Sequence, residues 1–273
     1  MKIMNAPSNS IIEKALSGDK TALENIITEA KDLVYNLSLK MLLFPDDAKD
    51  ATQEILIKIV THLSTFKGES QFQTWVYRIA SNYLLTEKKK LSRAIYTSIE
   101  DYASLIDRGQ SNAVLHAKNE GELLLLEEEV KVSCTHGLLL CLNKKGRIIY
   151  ILGEILEINS VEGANILEIS AENFRKQLSR SREKIRNFLQ SKCGLTNPQN
   201  PCRCKKKIDF LIEENMIDPK NLRFAQHTKR SIDLVEKIDS LDRAVSVFRS
   251  VPNQQTPETL LHEVKKTINA ITT

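Results

Sequence analysis

Between residues 46 and 90 the chain repeats apolar side chains every three or four positions, and this periodicity commits the region to helix. Ala48, Ala51, Ile55, Ile59 and Leu63 make one stripe, while Asp47, Asp50 and Glu54 fall on a different side. Asp46 and Asp47 stand where a helix N-terminus favours negative charge. A polar loop, FKGESQFQT, follows with Lys67 beside Gly68. A second helix is predicted from near Thr74. It opens on Trp75, the one tryptophan of the chain, and continues through Tyr77, Arg78, Ile79, Asn82 and Tyr83 to Lys88-Lys89-Lys90. Aromatic and cationic residues interleaved in this way suit a single nucleic-acid strand, because each base stacked on a ring is worth about 1–3 kcal/mol. The same pattern also describes an amphipathic helix with Trp75 in the core and a solvated lysine end. Composition alone favours that plainer reading.

Leucine, isoleucine, lysine and glutamate dominate, and aromatic residues make up only 5%, so the expected fold class is all-α. A length of 273 residues gives room for two or three domains with cores of their own. The net charge of +4 excludes little, since a basic DNA-binding face can coexist with acidic surface elsewhere. No apolar run is long enough to cross a bilayer and no signal peptide follows Met1-Lys2, so a cytoplasmic protein with reduced cysteines is expected.

Before residue 46, Ile11, Ile12, Ala15 and Leu16 precede a break at Ser17-Gly18-Asp19. A longer stripe then runs from Ala22 to Leu42 and stops at Phe44-Pro45, because the residue before proline is pushed out of the helical region. Residues 93–133 read as a connector, and Glu120, Glu122, Glu127, Glu128 and Glu129 are taken as the solvated face of a helix. From Leu142 a hydrophobic helix extends to near Asn159. Ser160 is the expected cap of a short helix, VEGANILEI, and Ser170 that of a longer basic one, AENFRKQLSRSREKIRNFLQ. Helix, tight turn and longer basic helix make a helix-turn-helix. Phe174, Leu178, Ser181, Ile185 and Leu189 share its buried side. Glu172, Asn173, Lys176, Gln177 and Arg180 lie opposite, flanked by Arg175, Arg182 and Lys184.

Beyond residue 192, Asn197-Pro198 and Asn200-Pro201 mark a turn-rich stretch, after which two or three further helices are expected. Pro252 and Pro257 interrupt them before a last helix from Glu258 to Ile271. Cys193, Cys202 and Cys204 cluster in sequence, and Cys134, His136 and Cys141 form a second group. Zinc takes four such ligands in a tetrahedron, and the two groups would supply them if the extension folded back. Their spacing matches no standard zinc module, so reduced, partly buried thiols are the favoured reading. No cofactor is called for. The five histidines are scattered and neither a phosphate-cradling glycine loop nor a nucleophile elbow is present, which argues against an enzyme.

The ordered pattern Asp-Ala-x-Asp-x-x-Gln-Glu, then Phe-x-Gly-Glu-Ser-x-Phe-x-Thr-Trp-x-Tyr-Arg-Ile-Ala-x-Asn, resembles region two of the bacterial sigma-70 family, extracytoplasmic-function group. The layout Gly18-Asp19-x-x-Ala22-Leu23, a helix, then Asp46-Asp47-Ala48 is similar to that family's first domain. NFRKQLSRSREKIR resembles its region-four recognition helix, and Arg147 stands where the preceding helix usually carries arginine. The sequence departs from the pattern at Glu168, where the turn usually has glycine, and at Gly163, where an apolar side chain is usual.

The resemblance implies a domain of residues 1–92, a linker of 93–133, a helix-turn-helix domain of 134–192, and a helical, cysteine-containing extension of 193–273 with a regulatory role. It implies a sigma factor that binds core RNA polymerase and promoter DNA, with an anti-sigma factor as a further partner and no membrane insertion. Asp47, Asp50, Gln53 and Glu54 would face polymerase. Lys67, Gly68, Glu69, Ser70, Thr74, Trp75, Arg78 and Asn82 would hold the minus-ten element. Glu172, Asn173, Arg175, Lys176, Gln177 and Arg180 would read the minus-thirty-five element. The alternatives are a free-standing helix-turn-helix regulator of duplex DNA and a sensor module that has lost DNA binding.

Overall fold

A computed structural model of the chain describes residues 7–86, 98–112, 114–225 and 243–271. The fold is all-α. Among the described residues no strand forms, and the single bridge pairs Cys193 with Cys202. The chain divides into two compact units, one built from residues 1–91, 151–175 and 253–273, the other from residues 92–150 and 176–252.

The first unit begins with α1 (Asn9–Leu16), capped by Ser8, and α2 (Lys20–Leu42), whose first turn is closed by Asp19 accepting from the amide of Ala22 at 3.0 Å. Gly18 adopts φ +90 in the break between them. α3 (Pro45–Thr61) starts with proline at a position where its missing N–H removes no helix bond. Ala48, Ala51, Ile55 and Ile59 are buried as the stripe requires, and Leu63 is held in a short 3-10 turn, Leu63–Thr65. α4 (Phe72–Thr86) begins two residues earlier than Thr74, because Phe72 is already folded into the core. The lysines expected to end this helix lie outside the described residues.

The last helix, α12 (Glu258–Ile271), belongs to this unit and packs on α3 and α2. Leu260 and Val264 are fully buried and Ile268 nearly so. Each such side chain contributes about 1.5–3 kcal/mol. Polar contacts fix the approach. Asn36 donates to the carbonyl of Gln254 and accepts from its amide, both at 2.8 Å. Asp32 accepts from the hydroxyl and amide of Thr256 at 2.6 and 3.1 Å, and Lys265 pairs with Glu24 at 2.6 Å.

α8 (Ser160–Leu167) also lies in the first unit. Its cap is Asn159, which accepts from the amides of Val161 and Glu162, and not the expected Ser160. Glu168 supplies the turn that glycine usually makes, in left-handed conformation at φ 53, with its amide bonded to the carbonyl of Ala164. Gly163 has its own reason: a Cβ there would meet the ring of Phe174 at 2.5 Å. Both departures from the family pattern thus serve the turn. α9 (Ala171–Lys192) follows, with Ser170 accepting from the amide of Asn173.

In the second unit α5 (Ile99–Asp107) and α6 (Glu120–Leu140) occupy most of the expected connector, and α6 runs on past residue 133. The acidic run is solvated only in part: Glu120 is exposed and Glu122 and Glu127 are half-buried, but Glu128 and Glu129 are buried. Glu129 is 1% exposed and its carboxylate accepts from the amides of Arg223, Phe224 and Ala225 at 2.8–3.0 Å. Burial pushes this carboxyl up, against those three amides and the charge of Arg223. Glu128 is buried with Lys131 at 2.8 Å. α7 (Lys144–Tyr150) continues as a π-helical turn, Ile151–Ile155. The buried Arg147 guanidinium donates to the carbonyls of Leu139, Leu140 and Leu142, which closes the end of α6; burial lowers its pKa to about 10.

α10 (Ile208–Glu213) and α11 (Arg243–Arg249) are the described helices of the extension before α12. Ile232, Leu234, Val235, Ile238 and Leu241, which suggested another helix, lie outside the described residues. The turn-rich stretch is tied by Arg203, whose guanidinium donates to the carbonyls of Pro198, Asn200 and Cys202.

Candidate nucleic-acid interface

The loop between α3 and α4 presents Lys67, Gly68 and Glu69 to solvent and leaves Ser70 half-buried. Gly68 sits at φ +73 with open space around it, a conformation that disfavours any other residue. Behind the loop three rings lock together. Phe66 lies 5.3 Å from Phe72 and 5.6 Å from Trp75, and Phe72 lies 5.4 Å from Trp75. Trp75 is 6% exposed and Thr74 5%, so the plainer reading of Trp75 as a core residue describes its place here. Arg78 is half-buried, with Nε shielded and lacking a hydrogen-bond partner among the described residues. Asn82, one turn further, is exposed.

Thr74 is not idle. Its hydroxyl donates to Glu162 Oε1 of α8 at 2.6 Å, and α8 packs along α4. Burial raises the Tyr77 phenol to about 12, a hydrogen bond with Gln73 opposes this, and the charge of Glu162 adds to it. Sequence reasoning missed Glu162. An acidic residue in the first turn of a helix looks like ordinary dipole pairing, and only the fold brings it to Thr74 from 88 residues away.

On α3, Asp50 and Glu54 are exposed while Asp47 and Gln53 are half-buried. On α9, Glu172, Asn173, Arg175, Lys176 and Arg180 are exposed and Gln177 is half-buried. Phe174, Leu178, Ser181, Ile185 and Leu189 are buried, as their shared side requires. Glu172, Asn173 and Arg175 belong to the first unit and Lys176, Gln177 and Arg180 to the second. Arg175 also donates to the hydroxyl of Ser160 at 3.3 Å.

The second unit brings Cys134 within electrostatic reach of Cys193 and Cys202, and Cys204 within reach of all three. Burial pushes the Cys134 thiol up to about 12 and Cys202 to about 11, and raises Cys204 well above its ordinary value. His136 does not join them. It is buried, 2.9 Å from the carbonyl of Val132 and stacked on Phe224. The charges around Cys141 are those of Arg147, Asp101 and Glu100. Among the described residues no three His, Cys, Asp or Glu side chains are arranged to hold a metal ion, and no helix is long and apolar enough to cross a membrane.

Residues 26–94 match the model of sigma-70 region 2, which places α3, its loop and α4 inside that region. The ECF RNA polymerase sigma factor SigW of Bacillus subtilis strain 168 is 27% identical over 183 residues, 66% of this chain and 95% of that protein. Residues 26–94 thus carry sigma-70 region 2, and the chain is similar to extracytoplasmic-function sigma factors. The ECF RNA polymerase sigma-E factors of Escherichia coli K12 and Salmonella typhimurium LT2 are each 27% identical over 184 residues, 66% of this chain and 93% of those proteins. All three of these relatives are named as RNA polymerase sigma factors. Region 2 coincides here with the helix–loop–helix in which Asp50 and Glu54 of α3, Lys67, Gly68 and Glu69 of the loop, and Asn82 of α4 are exposed.

Proposed function

We propose that this chain binds core RNA polymerase through α3 and directs it to promoter DNA with two separate contacts. Asp47, Asp50, Gln53 and Glu54 present the polar side of α3 to polymerase. The loop from Lys67 to Thr74, with Trp75, Arg78 and Asn82, takes the non-template strand of the minus-ten element. Melting unpairs and unstacks bases at a few kcal/mol, offset by holding an extruded base in a pocket. Glu172, Asn173, Lys176, Gln177 and Arg180 read base edges of the minus-thirty-five element, and Arg175, Arg182 and Lys184 meet phosphates. Two modest contacts tethered on one polymerase multiply each other. The chain is no enzyme and works in the cytoplasm. Residues 193–273 form a regulatory extension, and an anti-sigma factor is a further expected partner.

The observation that carries this reading is the region-2 match falling on α3, the loop and α4. Run-off transcription with purified bacterial core polymerase on genomic fragments tests it. New start sites are expected, and they should vanish with an Arg78→Ala/Asn82→Ala variant. A shifted duplex without polymerase, and no initiation with it, would instead establish the free-standing regulator.

A further inference from the structure

We propose that α12 is a second polymerase contact: core RNA polymerase, taking the polar side of α3, also rests on the outward side of α12, where His262 and Lys266 stand. This rests on the reading of α3 given above.

Four side chains of α3 are too few for a stable interface, which takes about 800 Å² and 20–30 residues from each partner. The rest must come from the neighbours of α3, chiefly α2, α4 and α12. A tight turn joins α2 to α3, so the half of α2 alongside Asp47 and Asp50 is its C-terminal one, and from Val34 to Leu42 every residue there is buried. α4 faces the DNA strand in the same reading. α12 is left, and it has a side to offer.

The seat of α12 fixes which side that is. Leu260, Val264 and Ile268 recur every four residues and are buried where the helix packs on α3 and α2. On one flank Glu263 pairs with Lys49 of α3 at 3.5 Å, and on the other Lys265 pairs with Glu24 of α2 at 2.6 Å. At about 100° per residue, His262 and Lys266 fall between these flanks, away from the buried row. Both are exposed, as are Glu258 and Thr259. Lys49 and Gln53 lie one turn apart on the same side of α3. Glu263 therefore borders the row that ends in Gln53, and the surface of α3 runs on into α12.

The helix is also held in place before a partner arrives. The two ion pairs act with the bonds from Asp32 to Thr256 and from Asn36 to Gln254, and a preorganised surface loses less freedom on binding. Asp50 and Glu54 suit cations opposite α3, and Lys266 suits an acid opposite α12. Such a mixed pattern sets register as well as attraction.

The test uses the full chain, fluorescein-labelled at its N-terminus, and purified core polymerase at one fixed salt concentration. Anisotropy reads affinity, and urea unfolding followed by Trp75 reads folding. Lys266→Glu is expected to weaken binding about tenfold and His262→Ala/Lys266→Ala less, with the unfolding midpoint unmoved because both side chains are exposed. Glu54→Lys, on α3, reports on the reading beneath. Weaker binding by Glu54→Lys, with both α12 variants binding like the unmodified chain, would overturn the α12 contact and leave α3 standing. Tighter binding by the α12 variants would overturn it too, making the helix an obstacle to polymerase, as would weaker binding that comes with a lower midpoint. No effect of Glu54→Lys would remove the polymerase side of α3 and the α12 contact with it.

Discussion

Replacing Asn36 by alanine tests whether the C-terminal segment is part of the first unit's fold. The Asn36 amide satisfies both backbone groups of Gln254, donating to the carbonyl and accepting from the N–H, in a buried setting. Alanine removes both of these bonds. A buried group that loses its hydrogen bond costs about 1–3 kcal/mol, so the two together should cost roughly 2–6 kcal/mol, less whatever water or other partners recover. Trp75 lies in the same unit as Asn36, which makes its emission a local probe in a chain whose two units need not unfold together. Urea unfolding followed by Trp75 should move to a lower midpoint with little change in slope. Limited proteolysis should cut between Pro252 and Glu258 faster. A loss under about 0.5 kcal/mol, the size of an ordinary surface substitution, with unchanged cleavage would refute the argument.

Further outcomes follow from the same physics. Gly163→Ala drives a Cβ into the Phe174 ring and should cost about 1–3 kcal/mol; Phe174→Leu in the same chain should recover part of it, read by thermal unfolding. Glu168→Gly relieves a left-handed residue and should stabilise by about 1 kcal/mol; a fall in midpoint would contradict this. Burial raises the Asp32 carboxyl, but the hydroxyl and amide of Thr256, helped by Lys31, bring it below its ordinary 3.8. A depressed folded pKa gives stability that is present above the unfolded value and lost as pH falls through the folded one. The unfolding midpoint followed by Trp75 should therefore drop below about pH 4, and Asp32→Asn should flatten that drop. Cys134 and Cys202, held protonated by burial, should alkylate far more slowly at pH 7.5 in the folded chain than in urea; equal rates would contradict their placement.

The helices of the first 86 residues were legible because each has an apolar stripe and a local stop signal, such as Gly18 or Phe44-Pro45. α9 and α12 were legible for the same reason, and α12 spans the residues its periodicity marks. What those stripes pack against was not legible. Glu128 and Glu129 read as solvated because their charge is local, whereas the amides that receive Glu129 lie at residues 223–225. Cys134 joined the other thiols and His136 did not, a choice made by α6 and invisible in spacing. At the candidate interface the sequence named Thr74 and Trp75, yet only tertiary structure buries them, through Phe66, Phe72 and α8.

The first unit also constrains the order in which the protein can be made. α2 and the segment that Asn36 grips are separated by 218 positions, and the ribosome releases the early part long before the late one. Domains ordinarily fold as units during synthesis, N-terminal first. Here α2 and α3 emerge with an apolar seat for Leu260 and Val264 that stays open until nearly the whole chain has been translated, so a nascent chain exposes a sticky surface that the finished protein hides.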